Sequence, residues 1–223
     1  MQIGELSTPL SQREIQQWFS SVFSAKAVPL AAFEKETTAL VVMDMINGFA
    51  VSGALYSPNT ASIVPQLAQL MKACREQEIP IVFFADSHSK DSPEFQSYPV
   101  HCLAGEKESR PVEELEKVGG YTLIPKASTN GFLEPVFQQW MREHARVNQF
   151  IITGCCTDIC VQQFALTVKT DFNRRGIFSR IVVPAELTAT YDAPGHPAVL
   201  TEFAAYHNMC TSGVEVVSQV LID

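Results

Sequence analysis

The most informative stretch of the chain is residues 151–160, which read Ile-Ile-Thr-Gly-Cys-Cys-Thr-Asp-Ile-Cys. The pattern predicts an apolar strand that runs through a glycine turn into a helix, with Thr157 or Asp158 as its cap and Cys160 in its first turn. Backbone N–H groups at a helix N-terminus have no partner within the helix, and the helix dipole is positive there. We therefore expect Cys160 to have a lowered pKa and to act as a nucleophile, rather than to be a small buried hydrophobic residue.

The composition predicts one domain that acts on a small molecule. The 223 residues are 46% hydrophobic, which is enough for one sizeable core. The formal net charge of -8 disfavours nucleic acid and anionic membranes as partners. No apolar run approaches the ~20 residues that span a bilayer, and the N-terminus lacks the pattern of a signal peptide. We expect a cytoplasmic protein whose six cysteines are all reduced.

Short apolar runs alternate with longer amphipathic segments along the chain. The runs predict about six strands, at 40–45, 79–85, 121–124, 150–153, 181–183 and 214–217. The intervening segments predict helices at 61–77, 110–117, 132–146, 158–175 and 197–208. Several strands are apolar without alternation, as in a sheet that is covered on both faces. The sequence therefore predicts a three-layer α/β/α domain with a central, mainly parallel sheet of about six strands.

The first 35 residues precede the first predicted strand. They include a predicted amphipathic helix over 12–25, which we expect to pack on the domain or on a second subunit. The chain is thus interpreted as a helical extension, residues 1–35, followed by one α/β domain, residues 36–223. We expect it to form a homo-oligomer.

Polar residues follow the predicted strands at their carboxyl ends, where open parallel sheets bind ligands. Asp44 ends the first strand, Asp86 and His88 end the second, and Lys126 ends the third. The fourth strand runs into the turn before Cys160. An acid, a base and a thiol are therefore predicted to share one rim of the sheet.

Together, Asp44, Lys126 and Cys160 resemble the catalytic triad of the isochorismatase-like cysteine hydrolases, and the resemblance covers roughly residues 38–220. It implies that Asp44 takes the thiol proton of Cys160 and later gives it to the leaving ammonia. It also implies that Lys126 holds Asp44 and favours the thiolate. A neighbouring lysine lowers the pKa of a carboxyl group and burial raises it, and the sequence leaves both directions open for Asp44.

The motif from Thr153 to Val161 carries the most specific part of this resemblance. In the family, the peptide that corresponds to Cys155–Cys156 is typically cis. The resemblance further implies that the N–H groups of Cys156 and Cys160 hold the oxyanion of the reaction.

A second set of residues resembles the metal-binding branch of this superfamily, the nicotinamidases. The set combines two imidazoles and two carboxylates, from Asp86, His88, Glu94 and His101. Many members of the branch have a histidine where Glu94 stands. The resemblance implies a site for one divalent transition metal that contacts the pyridine nitrogen of the substrate. Zinc is expected first, with manganese or iron as alternatives, because a carboxylate in this position makes the site harder.

Two aromatic residues, Phe49 and Tyr98, match positions at which nicotinamidases stack on a flat ring; Phe132 is a weaker candidate. The resemblance implies metal-dependent hydrolysis of nicotinamide to nicotinate and ammonia through a cysteine thioester, a step of NAD salvage. Two alternatives stay open. One is a related cysteine hydrolase that acts on another small amide or carbamoyl compound, and the other is a non-catalytic ring-binding protein of the same fold.

Overall fold

The computed structural model describes residues 26–222 and, upstream of them, only Arg13, Gln17 and Ser20. These three positions are helical, and the rest of the helix predicted over 12–25 lies outside the described residues. None of the helices among the described residues has the length and apolar character needed to cross a membrane.

The described elements alternate between strands and helices. The strands are β1 (Val28–Pro29), β2 (Thr38–Met43), β3 (Ile81–Asp86), β4 (Tyr121–Lys126), β5 (Gln149–Cys155), β6 (Arg180–Pro184), β7 (Thr188–Ala189), β8 (Glu215–Val217) and β9 (Val220–Leu221). The helices are α1 (Asn47–Ala50), α2 (Pro58–Ser62), α3 (Val64–Glu76), α4 (Glu113–Val118), α5 (Pro135–Glu143), α6 (Gln162–Arg174) and α7 (Ala198–Thr211). A π-helical turn, Thr157–Val161, joins β5 to α6.

Seven strands form one parallel sheet in the order β4-β3-β2-β5-β6-β8, with β7 pairing with β5 beyond the end of β6. Each neighbouring pair is parallel, as expected when helices connect successive strands. The strands β1 and β9 form a separate parallel pair. The predicted three-layer α/β/α fold with a central parallel sheet is confirmed.

Two hydrophobic clusters lie on opposite faces of the sheet. Leu40 and Val42 of β2 pack in the cluster that includes α3, while Val41 and Met43 pack in the cluster that includes α6. This alternation follows from the two-residue period of a strand. Burial on both faces explains why the central strands are apolar without a polar alternate position.

The predicted strands are all present, with ends that differ by no more than two residues from the prediction. The helix predicted over 61–77 is divided at Ile63 into α2 and α3. Pro65 lies in the first turn of α3, where a proline needs no N–H partner, and its ring does not fit the interior of a continuous helix. The division predicted between residues 35 and 36 stays a prediction. Leu30 and Phe33, which precede it, are buried in the core.

Candidate active site

One lysine and two aspartates meet at the carboxyl ends of the adjacent strands β2, β3 and β4. Lys126 Nζ lies 2.8 Å from Asp44 Oδ2 and also donates to Asp86 Oδ1. The Asp86 N–H donates to Asp44 Oδ1 at 3.0 Å. None of the three side chains is more than 3% exposed. One ammonium group therefore compensates two carboxylates in a site closed to bulk water.

The approach of β5 to β2 beside this cluster depends on Gly154. Its φ is +105°, and a Cβ at this position would lie 2.0 Å from the Met43 carbonyl oxygen. Only glycine accepts this conformation and this contact without displacing the neighbouring strand. The Asp44 carbonyl oxygen accepts from Cys155 Sγ at 3.3 Å, so the end of β5 is bonded directly to the residue that carries the buried carboxyl group.

The predicted nucleophile, Cys160, lies in the π-helical turn after β5. It is 6% exposed, and its Sγ lies 3.6 Å from Lys126 Nζ. The Cys155–Cys156 peptide before the turn is cis, as the family resemblance implied. The structure thus brings the three predicted catalytic side chains, those of Asp44, Lys126 and Cys160, into one cluster.

The prediction that Thr157 or Asp158 caps the helix is wrong. The turn begins after Cys156, and within the described structure no side chain accepts a hydrogen bond at that cap. Thr157 Oγ1 instead donates to Glu202 at 3.1 Å, and Asp158 accepts from Thr190 at 2.6 Å. The two side chains therefore bond the turn to later segments of the chain.

The pKa of the Cys160 thiol is raised well above its ordinary value, so the predicted lowering of its pKa is wrong. Burial is the largest cause; the charge of Lys126 opposes the shift, and the carboxylates of Asp44 and Asp86 add to it. The lost hydration of the thiolate and the two nearby anions outweigh the charge of Lys126. The thiol is therefore protonated at neutral pH and needs a base to become a nucleophile.

The Asp44 carboxyl group has the properties of such a base. Burial raises its pKa to about 7, with the charge of Asp86 adding to the rise and Lys126 opposing it. The sequence left open whether the pKa of Asp44 is raised or lowered, and the rise caused by burial is the larger effect. The pKa of Lys126 is also raised, because the two carboxylates outweigh the effect of burial, which alone would lower it. A carboxyl group that titrates near neutrality can both accept and return a proton.

The four predicted metal ligands lie at the same rim. One ligand atom of each lies within 4.8 Å of those of the others, from Asp86, His88, Glu94 and His101. His88 Nε2 is 3.6 Å from Asp86 Oδ1 and 3.8 Å from Glu94 Oε1. His101 Nε2 is 3.7 Å from Asp86 Oδ2. Burial opposes ionisation of Asp86, yet its pKa is lowered because Lys126 and the two histidines favour the carboxylate.

The hydrogen bonding of the two histidines fits a metal ion. Both ring nitrogens of His88 are buried, and neither has a hydrogen-bond partner among the described residues. His101 Nδ1 lies 2.8 Å from the Pro99 carbonyl oxygen, so in the neutral ring this nitrogen carries the proton and Nε2 has the free lone pair. A buried polar atom without a partner costs free energy, which a bound cation would offset. Two imidazoles and two carboxylates suit a divalent transition metal.

A pocket opens above Cys160 and the metal-ligand group. Seven of the predicted site residues line it: Phe49, Asp86, Glu94, Tyr98, His101, Cys156 and Cys160. The rings of Phe49 and Tyr98 lie 5.8 and 6.2 Å from that of His101, measured between centroids. The weaker candidate Phe132 does not line the pocket and packs against core phenylalanines instead. An aromatic wall therefore stands beside the thiol and the candidate metal ligands.

Four further pocket residues were not predicted from the sequence: Leu55, Thr129, Ile159 and Tyr191. Ile159 lies inside the motif that carries Cys160, so its place next to the thiol could have been inferred from that motif. Tyr191 follows β7, a two-residue strand, in a loop without periodicity. No pattern in the sequence distinguishes such a residue from an ordinary loop tyrosine.

Comparison with known proteins assigns the chain to a family. Residues 38–215 match the family profile described as the isochorismatase domain. The chain is 29% identical over 222 residues to Nicotinamidase 1 of Arabidopsis thaliana, with 86% of this chain and 90% of the plant protein covered.

Solved structures show the same fold. N-carbamoylsarcosine amidase from Thermoplasma acidophilum matches with a TM-score of 0.66 and 25% identity, over 81% of this chain and 95% of that chain. The pyrazinamidase of Pyrococcus horikoshii in complex with zinc matches with a TM-score of 0.67 and 24% identity, over 81% of this chain and 98% of the pyrazinamidase chain. The family profile spans well over half of the sequence. The chain therefore belongs to the isochorismatase family of hydrolases.

Proposed function

We propose that this protein hydrolyses nicotinamide to nicotinate and ammonia through a thioester on Cys160. One observation carries the proposal: Cys160, Lys126 and Asp44 form a buried cluster beside a pocket that is also lined by three of the four candidate metal ligands, Asp86, Glu94 and His101. The similarity to a plant nicotinamidase over 86% of the chain supports the same substrate.

The chemistry begins with the proton of the Cys160 thiol. Because its pKa is high and that of Asp44 is about 7, Asp44 takes the proton as the sulfur attacks the amide carbon. The carbon–nitrogen bond then breaks, and Asp44 returns the proton to the departing ammonia. Water attacks the resulting thioester, which releases nicotinate and restores the thiol. Lys126, 3.6 Å from the sulfur, stabilises the thiolate that forms in each half of the cycle.

The turn that carries Cys160 supplies the oxyanion contacts in this proposal. In an α-helical turn, the N–H of Cys160 would donate to the Cys156 carbonyl oxygen. Here that oxygen accepts from Ile159 and Val161, each at 3.1 Å. This supports the N–H of Cys160 as one donor to the oxyanion, and the N–H of Cys156 is the second donor that we propose. Removal of one such donor typically costs about 2.7–4 kcal/mol in the transition state.

Asp86, His88, Glu94 and His101 would hold one divalent metal ion, for which we propose zinc, the metal present in the Pyrococcus horikoshii pyrazinamidase complex. When bound, the ion would supply a Lewis acid beside the thiol and a ligand site for a ring nitrogen. Phe49 and Tyr98 would pack against the flat ring and orient its amide toward Cys160.

A second candidate substrate is a small carbamoyl compound. The structural match to an N-carbamoylsarcosine amidase at 25% identity favours it, because the same thiol chemistry cleaves such a bond. The two candidates differ in what the pocket must recognise, since a carbamoyl amino acid has no aromatic ring and no ring nitrogen.

Release of nicotinate and ammonia from nicotinamide by the purified protein tests the proposal. Elemental analysis of the same sample gives its metal content, and Cys160→Ala serves as the control. We expect release by the wild type, none by the variant, and bound transition metal in both. Bound metal with no release of nicotinate, but turnover of a carbamoyl amino acid, would assign the second substrate instead.

We further propose that the protein acts in the salvage of NAD in the cytoplasm. All six cysteines of the chain are free in the structure, which is compatible with a reducing compartment. The homo-oligomer predicted from residues 1–35 stays a prediction that sedimentation analysis of the full chain would check.

A further inference from the structure

The ring of Tyr191 is held differently from the other pocket aromatics. It lies parallel to the imidazole of His196, with ring centroids 4.0 Å apart and an interplanar angle of 7°. His196 Nδ1 lies 2.9 Å from the Tyr191 carbonyl oxygen, and His196 Nε2 lies 2.8 Å from Asp158 Oδ2. The imidazole thus covers one face of the tyrosine ring, and Tyr191 also lines the pocket.

Asp158 connects this ring to the nucleophile, because it belongs to the turn that also carries Cys160. Its second oxygen, Oδ1, accepts from the hydroxyl of Thr190 at 2.6 Å, next to Tyr191. Burial opposes a charge on His196, yet the hydrogen bonds to Asp158 and to the Tyr191 carbonyl raise its pKa. The turn therefore carries the thiol and, through Asp158 and His196, also positions the ring of Tyr191.

We propose that Tyr191 is a specificity-determining residue that contacts the ring of an aromatic amide, and that His196 is a positioning residue that holds it through Asp158. The substrate assignment rests on the proposed function. Phe49 and Tyr98 line the same pocket, so a flat ring would meet three aromatic side chains. An acyclic amide would gain little from these contacts, because their strength depends on ring overlap.

The chain provides a matched control for the histidine. His144 also stacks on an aromatic ring, that of Trp140, with centroids 4.1 Å apart and an interplanar angle of 12°. Its Nδ1 likewise lies 2.9 Å from the carbonyl oxygen of its stacking partner. This pair lies at the end of α5 and does not line the pocket. Removal of His144 therefore reports the cost of losing such a stack with no connection to substrate.

The test is steady-state kinetics with nicotinamide on the full-length wild type and four variants: Tyr191→Ala, Tyr191→Phe, His196→Ala and His144→Ala. Tyr191→Ala should raise KM about tenfold with a smaller effect on kcat, as expected for a lost aromatic contact. Tyr191→Phe keeps the ring and should recover most of this loss. His196→Ala should raise KM about threefold, and His144→Ala should leave KM unchanged.

Calorimetric binding of nicotinamide in a Cys160→Ala background separates this inference from the proposed function. Weaker binding by the Tyr191→Ala double variant, without turnover by the wild type, would support the aromatic wall and refute the amidase. Turnover by the wild type with an unchanged KM in a folded Tyr191→Ala protein would support the amidase and refute the contact of Tyr191 with the substrate. Absence of nicotinamide binding would overturn both, and equal KM values for His196→Ala and His144→Ala would overturn the role of His196.

Discussion

The floor of the pocket and its aromatic wall are built by different means. The floor consists of Asp44, Lys126 and Cys160, and the wall consists of Phe49, Tyr98 and Tyr191. The floor residues follow strands of a parallel sheet and are at most 6% exposed. The buried ammonium group of Lys126 pairs with Asp44 and lies 3.6 Å from the Cys160 sulfur. The wall residues come from a short helix and two loops, and their rings contact those of neighbouring histidines.

This difference suits the floor to the chemical step and the wall to the choice of substrate. Proton transfer and attack need atoms placed within a few tenths of an ångström, which strand ends in a packed sheet provide. Substrate choice needs surfaces that change between relatives without disturbing the sheet, which loops provide. Substitutions in the floor should therefore affect folding and kcat, whereas substitutions in the wall should affect KM.

The largest effect is expected from Gly154→Ala, at the backbone contact beneath the floor. The added Cβ would lie 2.0 Å from the Met43 carbonyl oxygen, so we expect a loss of more than about 4 kcal/mol in the free energy of unfolding. Gly176→Ala is the control, because its φ is also positive but no atom of the described residues lies within 4 Å of the added Cβ. It should cost about 1–2 kcal/mol, for the left-handed conformation alone. Urea denaturation of both variants gives the comparison, and equal midpoints would show that the contact is not rigid.

The next effect concerns the charge of the floor. Lys126→Met leaves two buried carboxylates without their cation, and we expect a loss of about 3–5 kcal/mol in unfolding free energy together with loss of turnover. Lys117→Met removes a lysine that pairs with Glu113 on the surface and should leave both quantities nearly unchanged. A Lys126→Met protein as stable as Lys117→Met would contradict the account of the floor.

A third prediction concerns the metal-ligand group between floor and wall. His88→Ala removes a buried imidazole whose two nitrogens have no partner among the described residues. We expect zinc retained after dialysis to fall to background, measured by elemental analysis. His144→Ala removes a histidine outside this group and should retain zinc as the wild type does. Unchanged zinc in His88→Ala would remove this residue from the ligand set.

The smallest effect is expected from Phe49→Leu, a change confined to the wall. Leucine keeps an apolar side chain at this 7% exposed position but cannot stack on a flat ring. We expect KM for nicotinamide to rise about 2- to 10-fold while kcat changes less. A fall in kcat as large as the rise in KM would show that Phe49 acts on the chemical step, and the separation of floor from wall would then fail at this residue.

The floor was predictable from the sequence because parallel strands bring their carboxyl ends to one edge. Asp44, Lys126 and the turn of Cys160 each follow an apolar run, so their proximity follows from the fold alone. The raised pKa of Cys160 was not predictable, because it depends on how deeply the thiol and two carboxylates are buried together. Tyr191 and its contact with His196 were not predictable either, since loop conformation depends on long-range hydrogen bonds such as that of Asp158.

The central claim is that the Cys160 sulfur carries the acyl group during turnover. Intact-protein and peptide mass spectrometry of samples quenched with acid during nicotinamide turnover tests it directly. The account predicts a nicotinoyl group on Cys160 of the wild type, and neither adduct nor nicotinate release with Cys160→Ala. Nicotinate release by Cys160→Ala at the wild-type rate, or a nicotinoyl group on another residue, would contradict it.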